Sequence, residues 1–402
     1  MKKKVLVLIN GRDGCKLHRL ILPYDKIYHS EGKEFDLEFL FYTGQTDEQL
    51  LEQALGCDVF IYHRFIDEKM FNAMKAKGIT MISDQDDNWV LNSTHPLYSK
   101  FRNELSNRIA EQIKQCDYVT VTTDVIAAKV KALNKNVAVF PNALVSEGQF
   151  EPHINRSKYI RVGWMGGSSH VADIRMLQGF VNQLPQDVRD SVQFVLCGFD
   201  GGKRNIIYPD GHVETVPMKY EETCWGEFER IFTDNYSVVS EGFKNHLLRF
   251  VPQDDRDYGE HYRRVWTKPF TSYAEGYDKM DICLIPLRKD FFNEAKSPLK
   301  LIECAVKNVA VIVSDVEPYS KLLKPVITKG GDIDPEGNCI AIGDNKGVKS
   351  WVKAITKLVR SEELRNTITT NLHKLVEENA DYNLHKVAED RLKWLNEICA
   401  RT

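Results

Sequence analysis

NEAKSPLKLIECAVKNVAVIVSD, residues 293–315, decides how the rest of the chain is read. It divides into a polar turn (Asn293 to Pro298), a short helix from Leu299 to about Val306, and a buried strand, Val309 to Val313, that closes on Ser314-Asp315. Ser297 is a natural N-cap, and Pro298 suits the first helical position, where its missing N–H costs nothing. Leu299, Ile302 and Val306 recur at helical spacing and can face a sheet. The N–H groups at such a helix start form an anion site, to which Lys296 and Lys300 add positive charge. Glu303, one turn further in, is placed to accept hydrogen bonds from a ribose. A turn, helix and strand of this kind supply what a nucleotide-sugar site needs.

Lys296, Ser297, Leu299, Lys300, Glu303, Ala305, Val311, Ser314 and Asp315 resemble the donor-binding motif of the GT-B glycosyltransferases, especially the large group resembling family 4. In that group the loop and helix hold the nucleotide diphosphate and ribose. Asn308 stands where the family has glycine before the strand, and asparagine also tolerates a left-handed backbone. The family's first glutamate, eight residues before the second, falls on Ala295, with Glu294 one position off. The resemblance implies an α/β protein of GT-B fold: two Rossmann-like domains with parallel sheets facing across a cleft, and a C-terminal helix crossing back.

At 402 residues the chain is too long for one ordinary core, which favours two domains. Its 43% hydrophobic and 28% charged residues are those of a soluble globular protein. No apolar run approaches membrane-spanning length, and MKKKVLVLING runs a basic cluster straight into a strand, without the apolar region and cleavage site of a signal peptide. Nine cysteines without a CxxC pair indicate reduced thiols, so a cytoplasmic location is expected. A net charge of −3 gives no global attraction to nucleic acid or anionic lipid, though a local basic face stays open.

Along the first part of the chain, strands are expected at 4–9, 37–41, 58–62, 80–83, 118–121 and 137–140. Helical patterns lie between them, at about 46–55, 67–77, 98–115 and 124–133, and from about Leu17. This alternation means right-handed βαβ units on a parallel sheet. A linker follows, from Pro141-Asn142 to Ser157, and many GT-B proteins carry a similar segment at the domain joint. A second series has strands at about 160–164, 192–196, 247–251, 282–285, 309–313 and 339–341. The expected domains are therefore 1–150 (acceptor), 151–380 (donor, with an insertion at about 200–245) and 381–402, a helix packing back on the first.

Several turns carry candidate site residues. Gly166-Gly167-Ser168, with His170 and Asp173, follows the first strand of the second domain, where glycine lets a backbone approach a ligand. It also resembles the GT-B opening of that domain, and is expected to face the same cleft as Lys296-Ser297; the bland reading is a tight strand–helix turn. Asp84-Gln85-Asp86-Asp87 follows the fourth strand, with His95 nearby. Clustered carboxylates raise each other's pKa, so function is indicated: acid–base work by Asp86, Asp87 or His95 on an acceptor, a divalent metal site, or merely a solvated acidic loop. The family's habit of neutralising diphosphate with dipoles and Lys or Arg argues against the metal, and none is expected. Gly14, His18 and Arg19 after the first strand, and His63-Arg64 after the third, are candidates for acceptor or phosphate. Phe250 follows the strand where GT-B proteins hold the base. The run 261–268 (HYRRVWTK) is basic and aromatic, either an amphipathic helix or a nucleic-acid contact.

The resemblance implies transfer of a sugar from a nucleotide-sugar, a UDP-sugar foremost, to an acceptor hydroxyl, with no other cofactor. The acceptor would be a glycan or lipid precursor, or a hydroxymethylated base in DNA. A sugar-nucleotide epimerase and a catalytically inactive nucleotide-sugar-binding protein are the alternatives.

Overall fold

The computed structural model describes residues 2–402 except 92, 94–97, 99–103, 153, 155–156, 200–202, 208–212, 219–222, 234–255, 258–260 and 329. It forms two compact units: Met1–Val145, Asp290–Ile302 and Lys374–Thr402 make the first, Ser146–Lys289 and Glu303–His373 the second. The first unit includes Asp290–Ile302, which the sequence assigned to the second domain. Its physical reason is local: Ala295 is fully buried in the first unit's core, and its carbonyl accepts a hydrogen bond from Thr123 Oγ1 at 3.2 Å.

The first unit carries a six-stranded parallel sheet in the order β2-β1-β3-β4-β5-β6. The strands are β1 (Lys3–Ile9), β2 (Phe35–Phe41), β3 (Val59–His63), β4 (Thr80–Gln85), β5 (Tyr118–Val121) and β6 (Val137–Val139). Val5 to Ile9 are all buried, as a strand covered on both faces requires. Side chains set where the helices begin. Thr46 and Gln49 form a reciprocal capping box before Asp47–Ala54, Asp67 caps Glu68–Ala76, and Thr123 caps Asp124–Lys131. The C-terminal helix, Leu384–Arg401, places Ala388, Leu395, Ile398 and Cys399 in the same core as Val5, Val7 and Ile9.

The second unit has a seven-stranded sheet in the order β11-β12-β8-β7-β13-β14-β15, parallel except for β11 against β12. These are β7 (Ile160–Met165), β8 (Val192–Cys197), β11 (Arg256–Asp257), β12 (Tyr262–Val265), β13 (Ile282–Ile285), β14 (Ala310–Asp315) and β15 (Ile340–Gly343); β9 (Lys203–Ile207) and β10 (Val213–Pro217) form a separate antiparallel hairpin. The Leu299–Val306 helix ends in a Schellman turn. Asn308 has φ 58°, and Val309 N donates to Cys304 O at 2.9 Å. Asparagine thus does the glycine's work there.

One expectation is corrected. The 261–268 run is not a helix, because Tyr262–Val265 is strand β12, paired with β8. Arg264 is fully buried, donates to the carbonyls of Leu196, Val265 and Gly198, and is stacked between Trp225 and Trp266. Within the region expected as an insertion at 200–245, the Trp225–Thr233 helix buries Trp225, Phe228, Ile231 and Phe232. The strand expected at 247–251, and with it Phe250, lies outside the described residues. None of the nine cysteines is joined in a disulfide. Among the described residues no helix is long and apolar enough to cross a membrane.

Candidate functional site

In the first unit the loops after β1, β3 and β4 leave the same, C-terminal edge of a parallel sheet, where open α/β sheets bind ligands. Asp13 caps the helical turn that starts at Gly14, accepting from Lys16 N at 3.0 Å, and Gly14 itself is exposed. The chain then passes through a π-helical stretch, Leu17–Ile21, which buries His18 and Arg19. Arg19 is corrected as a ligand-binding residue. Its guanidinium holds Asp84 at 2.9 and 2.8 Å and donates to Phe140 O and Asn142 Oδ1, all out of contact with solvent. Its role is positional. Asn142 passes the effect on, since its Nδ2 donates to Ser297 Oγ at 2.8 Å. The N-cap expectation shifts by one residue accordingly: the helix starts at Leu299, Pro298 O accepts the Ile302 N–H, and Ser297 is tied to Asn142.

The carboxylate near the end of β4, Asp84, and the two just after it, Asp86 and Asp87, take different roles. Asp84 belongs to the fold, also accepting from Thr120 Oγ1 at 2.6 Å. Asp86 is buried, with Oδ1 2.9 Å from His63 Nε2 and 2.8 Å from Arg64 Nε. Burial opposes its ionisation, but the Arg64 and His63 side chains outweigh that and hold its carboxyl well below the ordinary range. Asp87 goes the other way. Burial and the neighbouring Asp86 charge push it up to about 6, against the pull of Lys296 and Arg64. Two adjacent carboxylates are thus driven apart, one fixed as an anion and one able to exchange a proton near neutrality. Arg64 sits in the left-handed region at φ 61°, held there by its N–H on Asp84 O and by Ser83 Oγ and Gln85 Nε2 on its own carbonyl. Cys15 lies beside Asp86, and burial together with that carboxylate raises its thiol well above the usual value. His95 lies outside the described residues.

In the second unit, β7 runs into Gly166-Gly167 and a 3-10 turn, Ser168–His170. Gly198, at φ 105°, backs the turn so closely that a Cβ there would stand 2.2 Å from Gly166 O. His170 Nδ1 meets Asp173 Oδ2 at 2.8 Å, and Asp173 Oδ1 accepts from Arg288 N at 2.9 Å. Asp173 therefore fixes both the imidazole and the loop after β13. Glu303 is buried one turn into its helix, with one oxygen accepting from Tyr273 Oη and the other from Tyr277 Oη at 2.6 Å. A ribose hydroxyl would share a carboxylate already oriented by two phenols. Lys296 and Lys300 are half-buried near the helix start.

Arg64 was read together with His63 and Asp173 with His170, while Tyr273, Tyr277, Asn142 as a tether and Cys15 were missed. Tyr273 and Tyr277 are four apart, a weak signal that two phenols share one face. The other partners lie far off in sequence and left no local signal.

No family model matches the sequence, and no curated protein matches it. Solved structures do. Anabaena HepE in complex with UDP and glucose is 10% identical over 98% of this chain and 100% of its own, with a TM-score of 0.63. An alpha-glucosyltransferase in complex with UDP-glucose and DNA containing an abasic site is 10% identical over 98% and 99%, at 0.60. The N-terminal domain of Candida albicans trehalose-6-phosphate phosphatase is 9% identical over 98% and 97%, at 0.54. At these identities the likeness is one of fold, and the chain has the GT-B fold, with two Rossmann-like units.

Proposed function

We propose that the protein is a glycosyltransferase that moves a sugar from a nucleotide-sugar, a UDP-sugar foremost, to an acceptor hydroxyl. One observation carries this reading. The Lys296-Ser297 turn is tethered by Asn142 at the start of a helix that holds Glu303, a turn later, between Tyr273 and Tyr277. A helix start with two lysines suits a diphosphate, and an oriented buried carboxylate suits the paired hydroxyls of a ribose. Within the second unit, the Gly166-Gly167-Ser168 turn, with His170 fixed on Asp173, offers backbone donors of the kind phosphates and sugars use. Positive charge and N–H dipoles stabilise the diphosphate as it departs.

The comparisons support the same donor class, since HepE and the alpha-glucosyltransferase were each seen with UDP or UDP-glucose. For the acceptor, two classes are kept: a glycan or lipid precursor, and a hydroxymethylated base in DNA, the latter favoured by the DNA complex of one neighbour. Within this chain's own basic-aromatic run, Arg264 is buried on backbone carbonyls and is not available to DNA. The test is release of UDP, and gain of one hexose in mass, across UDP-sugars and an acceptor panel that includes hydroxymethylated DNA. Consumption of donor without any acceptor would point to an epimerase instead. Donor binding without turnover on every acceptor would point to a binding protein.

A further inference from the structure

At the C-terminal edge of the first sheet several buried polar atoms are spent on nothing in the fold. Asp87 Oδ1, Asn88 Nδ2 and His63 Nδ1 are buried and make no hydrogen bond, and His63 and Asn88 are 2% and 3% exposed. Buried polar groups are normally paired, so an unpaired set beside an open carboxylate marks a place where a ligand or a proton completes the bonding. The Asp87 side chain is 31% exposed, and with Oδ1 sealed in, Oδ2 is the oxygen left for exchange, 3.9 Å from an Arg64 nitrogen.

We propose that Asp87 takes up a proton when a diphosphate binds at the Lys296-Ser297 turn, so that donor binding and protonation are coupled at this carboxylate. The inference rests on the donor-site reading above. Asp87 is faced by Asp86 on its own loop, by Arg64 from the end of β3, and by Lys296 from the turn before the helix. Asp86 is itself occupied by Arg64 and His63, and it faces Cys15 from the loop after β1. Without an anion, Lys296 and Arg64 keep Asp87 ionised against the pull of burial and Asp86. A diphosphate pairs with Lys296, cancels that support and adds negative charge close by. The cheapest response is a proton from solvent. It removes one of two adjacent carboxylate charges and gives the site an O–H donor toward the anion.

The experiment is calorimetric titration of the protein with UDP at pH 7 in buffers of different ionisation enthalpy, on wild type and on Asp87→Asn. An upward shift of one unit from about 6 corresponds to uptake of about 0.4 proton per UDP at pH 7. UDP's own titration contributes equally in both proteins, so the difference between them is the readout. A difference of that size supports the coupling, and none overturns it. Should the variant fail to bind, the wild type decides alone: its UDP affinity, corrected for UDP's own titration, must fall from pH 6 to pH 8, and a flat profile overturns the proposal. No UDP binding by wild type at any pH would instead sink the donor-site reading.

Discussion

Replacing Asp84 by asparagine removes an anion shared by two buried arginines. Arg19 contacts it through two nitrogens at 2.9 and 2.8 Å, and Arg391 Nη1 lies 3.9 Å from Oδ2. Both guanidiniums and the carboxylate are buried to 1% exposure or less, and Arg391 also lies over Tyr24 and Phe140 at 5.1 and 4.8 Å. The asparagine keeps the shape and loses the charge, leaving two cations uncompensated in the core. Orphaning a buried charge costs about 3–5 kcal/mol. For a domain of this size that corresponds to a fall in Tm of about 6–20 °C. Scanning calorimetry of Asp84→Asn is the assay, with Asp58→Asn as a control, because the half-exposed Lys3–Asp58 pair contributes at most about 1 kcal/mol. Adding Arg391→Met removes one orphaned cation and should return part of the loss, a coupling that independent sites would not show. Burial works against ionisation of Asp84, and the Arg19 pair overcomes it and lowers its pKa. Its contribution is therefore present above the ordinary carboxylate value, about 4, and lost as pH falls through the lower folded value. A loss below about 1 kcal/mol for Asp84→Asn, or strict additivity with Arg391→Met, would refute the reasoning.

Other substitutions separate site from scaffold. Gly198→Ala would force a Cβ to within 2.2 Å of Gly166 O at a φ of 105°, so it should displace the Gly166-Gly167 turn and weaken UDP binding at least tenfold, read by calorimetry. Tyr277→Phe leaves one oxygen of the buried Glu303 carboxylate without its phenol, so it should cost about 1–3 kcal/mol in chemical unfolding and, by loosening that carboxylate, weaken UDP binding as well. Arg264→Gln strips three buried carbonyls of their donor and should cost about 3 kcal/mol in chemical unfolding, without a nucleic-acid phenotype in gel-shift assays.

The 293–315 stretch was legible because its signals are short-range. Proline at the helix start, Leu299, Ile302 and Val306 one turn apart, and a left-handed asparagine after the helix all act within a few residues. The parallel sheets were legible for a similar reason, since alternating strands and helices leave few topologies. Contacts made across long separations were not. Arg19 was read as facing a ligand because it follows a glycine loop, yet its partner Asp84 lies 65 residues away and closes it off. The 261–268 run is too short for its period to choose between helix and strand. Pairing of β12 with β8 chose strand, and the buried Glu229 carboxylate, 3.5 Å from Arg264 Nε, took up the Arg264 charge together with the Trp225 and Trp266 rings. The three acidic residues around the end of β4 could be recognised as a cluster. Their division into a fold anion, a paired anion and a proton-exchanging group depends on Arg19, Arg64, His63 and Lys296, which only folding brings there.

The most direct measurement is calorimetric titration of wild type and Glu303→Ala with UDP, GDP, ADP and their sugars. A donor site at the Leu299–Val306 helix requires that one nucleotide, UDP foremost, bind the wild type, and that the variant bind it at least tenfold more weakly. Failure of every nucleotide to bind, or equal binding by both proteins, would contradict a donor site at this helix.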